Sequence, residues 1–397
     1  MMRVSIKLIV GLIQRVQIIN ILHVYKTSSV CTQGGIEEVI KQLALETTKL
    51  GVHNKVVCLS ADSKKKEILE TKWATVYCYP LNFEIASCGF SWELLRDFRS
   101  LTTWADIVHN QFPWPFADVL SLACRKKNTP YIVSYQSDII RQRGLFMLYR
   151  FLMTSYLKKA KAIVATSPKY ISSSPVLAKY KKTLCMIPNG ISDAPVVGAY
   201  QVEKEKIKKK HGDGFFLFIG VFRYYKGISY LLDAAKNNGL PVLLVGSGPE
   251  ESKIKKRIRE DSLDNVTLLG RINENEKHAL ISLATALVLP SSERSEAYGM
   301  VLLEAARQGL PMISTELGSG TSYINIHEET GLVVAAKNSK KLSEAMSRLA
   351  ENKNVLKKMT KCAEERFKKN FTVTKMGERY LKLYQKVLRE TAMENGG

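Results

Sequence analysis

Along this 397-residue chain, short uninterrupted apolar runs alternate with longer stretches in which apolar residues recur at helical spacing. Runs bounded by glycine, proline or asparagine read as strands covered on both faces. In the first half they fall at 18–25 (IINILHVY), 54–61, 74–81, 106–111 (DIVHNQ), 130–137 and 162–167. Helical spacing fills 36–51, 91–101, 116–128 and 148–160, and Ser91 is placed to cap the second of these. The second half repeats the rhythm, with strands at 215–220 (FFLFIG), 241–248, 265–270, 286–291, 311–316 and 331–336. Helices are expected at 228–239, 251–260, 274–284 and 300–309. Such alternation predicts an α/β protein with mostly parallel sheets and helices on both faces.

The chain is too long for one core, and domains of roughly 150–200 residues are the natural unit. Residues 193–213 interrupt the rhythm with Pro195, a lysine run and Gly212–Asp213–Gly214. The predicted division is therefore 1–195, 196–375, and a C-terminal helix at 376–397 packing back on the first domain. Residues 4–22 are apolar but broken by Lys7, Gln14, Arg15, Gln17 and Asn20. They fall short of the roughly 20 apolar residues of a membrane span. No small-residue cleavage site follows, so residues 1–16 read as an extension, an amphipathic helix on a membrane surface being one use.

The apolar fraction, 45%, fits a folded protein, and seven cysteines lie scattered with no CxxC pair. Reduced thiols in a cytoplasmic protein, without a metal site, are the expectation. Formal charge is +22, spread over runs such as KKK at 64–66 and KEKIKKK at 204–210. No zinc finger, RNA-binding sheet motif or arginine-rich arm accompanies them, which argues against nucleic acid as partner. An anionic membrane surface remains compatible with that charge.

In parallel sheets, ligands gather at the carboxyl ends of strands, often against a helix amino end. Gly34–Gly35 stands at the first such junction; it suits either a close-approaching oxyanion or a tight turn, and it is not the dinucleotide GxGxxG pattern. Gly220 to Gly227 carries two cations, Arg223 and Lys226, suited to a diphosphate or simply to solvent. Gly246–Ser–Gly248–Pro249 closes the next strand. The richest junction is PSSERSEAYGMVLLEAARQGLP at 290–311. There Glu296 lies in a loop, Tyr298 and Gly299 lead into a helix, and Glu304 falls about one turn inside it. Carboxylates accept hydrogen bonds from sugar or ribose hydroxyls, while the amides of Gly299, Met300 and Val301 suit a phosphate. A first-turn acid satisfied by its own helix would account for Glu304 equally well.

This stretch resembles the signature of retaining glycosyltransferase family 4, the glycogen-synthase-like enzymes: a Glu, seven residues, then a second Glu in a Gly- and Pro-rich frame. GGIEEVI near the start, IPNGI at 187–191, the Lys226–Gly227 loop, VGSGP at 245–249 and ETGLVV are similar to the family in the same order. The resemblance implies a GT-B architecture, two facing Rossmann-like domains, and a nucleotide-diphosphate sugar as donor with no metal or other cofactor. No DxD motif is found where a metal-dependent site would need one. Glu296 would contact the transferred sugar, Glu304 the ribose, and Lys226 and Arg223 the diphosphate, with Gly35 approaching it from the first domain. Arg271 would lie near the base. NQFPWPFADVL, SYQSDIIRQR, RYYKG and STELGSGTSYIN look like bacterial enzymes of O-antigen or exopolysaccharide assembly, often mannosyltransferases using GDP-mannose. A lipid-linked or polysaccharide acceptor at the cytoplasmic face of the inner membrane follows from that likeness.

Three positions depart from the family. Where members often carry a second histidine after His109, this chain has Gln111; Gln136 and Val221 replace a usual His and Arg. Glutamine can donate a hydrogen bond to a sugar but cannot exchange a proton near neutral pH. A glucosyl-, galactosyl- or rhamnosyltransferase, or a catalytically weak nucleotide-sugar-binding protein, therefore stands beside the mannosyltransferase reading.

Overall fold

The computed structural model describes residues 18–32, 34–126, 128–139, 143–193 and 200–396. The extension at 1–16 and residues 194–199 of the expected boundary lie outside them. The chain forms two compact units, one comprising 1–134, 142–163 and 377–397, the other 135–141 and 164–376.

Unit 1 is built on strands β1 (Ile19–Val24), β2 (Val52–Ser60), β3 (Glu67–Glu70), β4 (Thr75–Pro80), β7 (Ile107–Phe112), β8 (Tyr131–Tyr135) and β9 (Ala162–Ala165), with a hairpin of β5 (Phe83–Ile85) and β6 (Cys88–Phe90) beside them. Within unit 1 the strands are ordered β9-β8-β7-β1-β2-β4-β3. β1 pairs in parallel with β2 and β7, β2 with β4, and the exposed edge strand β3 is antiparallel. Fully apolar stretches such as Ile21, Leu22 and Val24 are buried because helices cover both faces. Gly35–Lys49 is one of these helices, presenting Val39, Ile40, Leu43 and Ala44 to the core. Trp92–Trp104 is another, and its cap is the expected Ser91, whose hydroxyl accepts from the amide of Leu94.

A polar knot sits inside this apolar unit. His109 on β7 is fully buried, with Nδ1 2.9 Å from the Tyr384 hydroxyl and Nε2 2.7 Å from Ser134 Oγ, which in turn meets Tyr380. His23 lies beside it, ring centres 5.1 Å apart and planes tilted by 44°, and its Nε2 donates to Asn54 Oδ1. Burial lowers the His23 pKa from 6.5 to about 4, against a smaller raising effect of Asn54. Burial, then the neighbouring His23, pushes His109 well below 6.5. Both rings are thus neutral in the fold, whereas the unfolded chain takes up protons as the pH drops through 6.5. Stability present above pH 6.5 is therefore lost progressively toward pH 4 through His23, at about 1.4 kcal/mol per pH unit, and His109 adds a loss of the same sign. Denaturant titrations across that window should show this slope, and His109→Gln should flatten it relative to the parent chain.

Unit 2 begins, after a short strand β10 (Leu184–Met186), with β11 (Phe216–Ile219). Then follow β12 (Val242–Val245), β13 (Val266–Gly270), β14 (Ala286–Leu289), β15 (Met312–Glu316) and β16 (Gly331–Ala335). Every pairing is parallel and the order is β13-β12-β11-β14-β15-β16. That is the 3-2-1-4-5-6 order of a doubly wound sheet, with its direction of winding reversing between β11 and β14. Buried Phe216, Phe218, Leu244, Leu287 and Ile313 form the sheet's share of one core. Helix Ile228–Asn238 covers it with Ile228, Leu231, Leu232 and Ala235, and stops at Gly239 in the left-handed region, φ 66°. The lysine run read as an interruption is a helix, Gln201–His211, with none of its residues buried. Its Glu, Lys and Gln content favours helix even without an apolar face.

Candidate active site

The reversal between β11 and β14 leaves a crevice outside their carboxyl ends, where an open α/β sheet receives ligands. The loops that follow those two strands are the ones that carry Lys226 and Glu296. After β11 the chain passes Gly220 and buried Phe222, makes a single tight turn at Tyr224–Lys226, and enters helix Ile228–Asn238 through Gly227. Gly227 has φ 67°, and a Cβ there would lie 2.0 Å from the carbonyl oxygen of Pro290. Only glycine lets the two loops approach this closely. The Ser292 amide completes the contact by donating to the Tyr225 carbonyl at 2.7 Å.

Lys226 Nζ consequently reaches Glu296 Oε2 at 2.5 Å, and Ser291 Oγ donates to the same oxygen at 2.9 Å. The side chains are 13% and 9% exposed, so this pair is largely withdrawn from water. Burial alone would lower the Lys226 pKa; the charge of Glu296 and its hydrogen bond outweigh that and raise it. Lys226 is a fixed cation beside a carboxylate whose second oxygen is not committed to either partner. A cation so held can meet a diphosphate, and the carboxylate can take a sugar hydroxyl. Arg223 precedes the turn as its extended N-cap residue.

The next loop layer is set by glycines too. Gly246, φ 132°, would place a Cβ 2.0 Å from the Gly220 carbonyl, and one on Gly248 would meet the Phe222 backbone at 2.7 Å. The Phe222 amide donates to the Ser247 carbonyl, clamping the β11 and β12 loops together. Arg271, just past β13, donates from Nε to Ser247 Oγ at 2.8 Å.

Gly299, φ 81°, starts helix Met300–Arg307, whose opening turn offers the amides of Met300 and Val301. Tyr298 is buried and its hydroxyl donates to the Asn189 carbonyl at 3.1 Å, anchoring the loop. Arg294 adds a second anchor, reaching the Gly318 carbonyl at 3.0 Å and Asp138 at 3.1 Å. Glu304 does not stand alone on that helix: Lys277 Nζ lies 3.1 Å from its Oε2 and 2.9 Å from Glu274. Lys277 is held there by helix Glu274–Leu283, whose start is fixed by a reciprocal capping box between Asn273 and Glu276. Burial opposes the charge on Lys277, and Glu304 and Glu274 together raise its pKa.

In unit 1 the corresponding reversal lies between β1 and β7. Gly34 is the extended N-cap of helix Gly35–Lys49, and two carboxylates, Glu37 and Glu38, occupy its first turn. Glu37 accepts from Thr27 at 2.5 Å and lies over Gly34, where a Cβ would meet it. Those acids offset the positive helix end. Gln111 is buried at the end of β7 with Nε2 3.3 Å from His109 Nε2. His109 itself is occupied by Ser134 and Tyr384, which gives it a packing role.

Sequence reasoning named Lys226, Glu296 and Glu304 but not Ser291, Arg294 or Lys277. Ser291 was visible as a hydroxyl beside the glutamate. Lys277 was not, because 27 residues of unrelated chain separate it from Glu304.

Comparison with known proteins bears on the family and the fold. The family profile described as "Glycosyltransferase Family 4" matches residues 33–194, and "Glycosyl transferases group 1" matches 200–366. D-rhamnosyltransferase WbpZ of Pseudomonas aeruginosa is 42% identical over 89% of this chain and 92% of its own length. O-antigen chain mannosyltransferase C of Escherichia coli is 38% identical over 93% of this chain and 99% of its own. Among solved structures, sucrose-phosphate synthase from Thermosynechococcus elongatus superposes with a TM-score of 0.77 at 20% identity, covering 94% of this chain and 100% of that one, a likeness of fold. With two doubly wound units, paired family profiles and relatives of this identity, the chain belongs to glycosyltransferase family 4 and is a nucleotide-sugar-dependent hexosyltransferase of GT-B fold.

Proposed function

We propose that the chain transfers mannose from GDP-mannose to a lipid-linked or polysaccharide acceptor of O-antigen type, with retention at the anomeric carbon. The observation that carries the reading is the withdrawn Lys226–Glu296–Ser291 cluster at the winding reversal of unit 2. In it, Lys226 and Arg223 neutralise the diphosphate as the glycosidic bond to it breaks. Glu296 holds a hydroxyl of the sugar, Glu304 the ribose, and the amides of Gly299, Met300 and Val301 a phosphate oxygen. For Glu304 to take the ribose, Lys277 must share it or turn away. Gln111 and Gly35 are assigned to the sugar and the diphosphate, and Gly248 and Arg271 to the nucleotide. The leaving phosphate serves as base, since neither Gln111 nor neutral His109 carries an exchangeable charge near pH 7.

The 42% identity to a D-rhamnosyltransferase favours one second reading. D-Rhamnose is 6-deoxymannose, so the two sugars present the same ring hydroxyls and differ only at C6. A pocket that hydrogen-bonds the C6 hydroxyl rejects the deoxy sugar by about 10⁴-fold, whereas an apolar pocket discriminates by no more than about 10²-fold. Work at the cytoplasmic membrane face is suggested by the +22 charge and the exposed basic helix Gln201–His211. No described helix is long and apolar enough to cross a membrane. Nucleoside diphosphate release should be measured with GDP-mannose, GDP-D-rhamnose and UDP-glucose on a lipid-linked O-antigen primer. The highest kcat/KM is expected for GDP-mannose; preference for GDP-D-rhamnose selects the second reading, and turnover of UDP-glucose alone overturns both.

A further inference from the structure

Three of the seven cysteines, far apart in sequence, come together in unit 1 beside the carboxyl ends of β1, β2 and β4. Cys58 on β2 and Cys78 on β4 are directly opposed in register on adjacent parallel strands, both buried, with Sγ atoms 3.5 Å apart. Cys31 lies on the turn after β1, held by its amide to the Ser28 carbonyl, and is exposed. Its Sγ is 3.8 Å from that of Cys78, and the three sulfurs all lie within 4.8 Å of one another.

We infer that Cys31, Cys58 and Cys78 form a three-thiolate site for one thiophilic cation, with zinc(II) as the ion it takes. Zinc–thiolate bonds are about 2.3 Å long, so thiolates around one zinc sit about 3.8 Å apart at tetrahedral angles and about 4.0 Å apart in a trigonal plane. The Cys58–Cys78 and Cys31–Cys78 separations lie within about 0.5 Å of those values and the third is within 4.8 Å, so closing the triangle needs shifts of about 1 Å or less. Sulfur ligands select zinc and copper(I) over magnesium or calcium. The inner wall is apolar, formed by Tyr25, Ile40, Val56, Trp73 and Val76. Thiolates in such surroundings need a cation to offset their charge. The outer side, where Cys31 meets solvent, leaves the fourth position to a water molecule. Three S–H bonds break, three Zn–S bonds form, and up to three protons pass to solvent, with no change of oxidation state.

Position gives the site a consequence. Cys31 is three residues before Gly34, so an ion on the three sulfurs ties the segment leading into helix Gly35–Lys49 to the ends of β2 and β4. The site would stiffen that segment without touching substrate.

Reduced, chelator-treated full-length protein should be titrated with cadmium(II), whose thiolate charge-transfer absorption reports ligation. Saturation at one equivalent per chain is expected, with displacement by zinc. Cys31→Ser, at an exposed position that leaves the core intact, should weaken binding at least tenfold. A Cys124→Ser/Cys185→Ser/Cys362→Ser variant should bind as the parent does. Zinc should also slow backbone hydrogen exchange across 25–36. Unchanged cadmium affinity in Cys31→Ser, or no saturable uptake by the reduced protein, overturns the site. So does a Cys58–Cys78 or Cys31–Cys78 disulfide in protein whose reduced form binds no metal.

Discussion

Lys226→Ala is expected to lower kcat about 10²–10³-fold, the usual cost of removing one preorganised charge from a developing anion. The same substitution should also destabilise unit 2, for a separate reason. Glu296 is only 9% exposed, and without Lys226 it is a buried carboxylate left with the Ser291 hydroxyl. Breaking a buried pair from one side costs about 3–5 kcal/mol, on the order of 10 °C in melting temperature for a unit of this size. Adding Glu296→Gln to Lys226→Ala should restore most of the lost melting temperature, because no uncompensated charge then remains. It should restore none of the activity. This opposite response separates a catalytic pair from a structural one. If the double variant recovers turnover together with stability, the pair only holds the loops, and the diphosphate is bound elsewhere.

Gly227→Ala is the second large effect, and Gly239→Ala is its internal control. The two glycines have nearly the same backbone conformation, φ 67° and 66°. At Gly239 nothing lies within 4 Å of a new Cβ, so alanine there should cost only the left-handed penalty, about 1–2 kcal/mol. At Gly227 the Cβ would sit 2.0 Å from the Pro290 carbonyl, a rigid backbone atom. We expect a loss of more than about 4 kcal/mol, or a parting of the two loops that carries Lys226 away from Glu296. Chemical denaturation of both variants, with donor binding followed in parallel, checks this. Equal losses at the two positions would mean that the close loop approach has no energetic weight.

Much of this architecture could be read from residue order alone, because each buried strand is a bounded apolar run. FLFI, VLLV and ALVL are each followed by a glycine- or proline-bearing loop, and the winding reversal falls where the charged loops are. Two of the elements that escaped reading lack an apolar face, whereas the helices Ser339–Glu351 and Lys353–Asn370, also unread, each bury one. β3 is exposed at all four residues, and Gln201–His211 buries none of its residues, so neither has a hydrophobic period. The hairpin β5–β6 turns on Ala86 and Ser87 at positive φ, which their residue types do not announce. In the site, Lys226 and Glu296 could be named separately but not as an ion pair, since 70 residues separate them. Their meeting depends on β11 and β14 being neighbours in the sheet. Cys31, Cys58 and Cys78 likewise meet only through the β1-β2-β4 order.

The buried knot around His109 has a bearing on how the chain is made. Its partners Tyr380 and Tyr384 stand 271 and 275 residues downstream, on the last helix, Val373–Gly396. A ribosome makes them only after residues 164–376. Unit 1 is therefore completed only after unit 2, since residues 377–397 belong to it. Until residues 377–397 emerge, His109 and Ser134 wait on a nascent sheet without the hydroxyls of Tyr384 and Tyr380, while the sequence of unit 2 is already made. A stop codon before Tyr380 would therefore spare the sequence of unit 2 and damage the unit translated first.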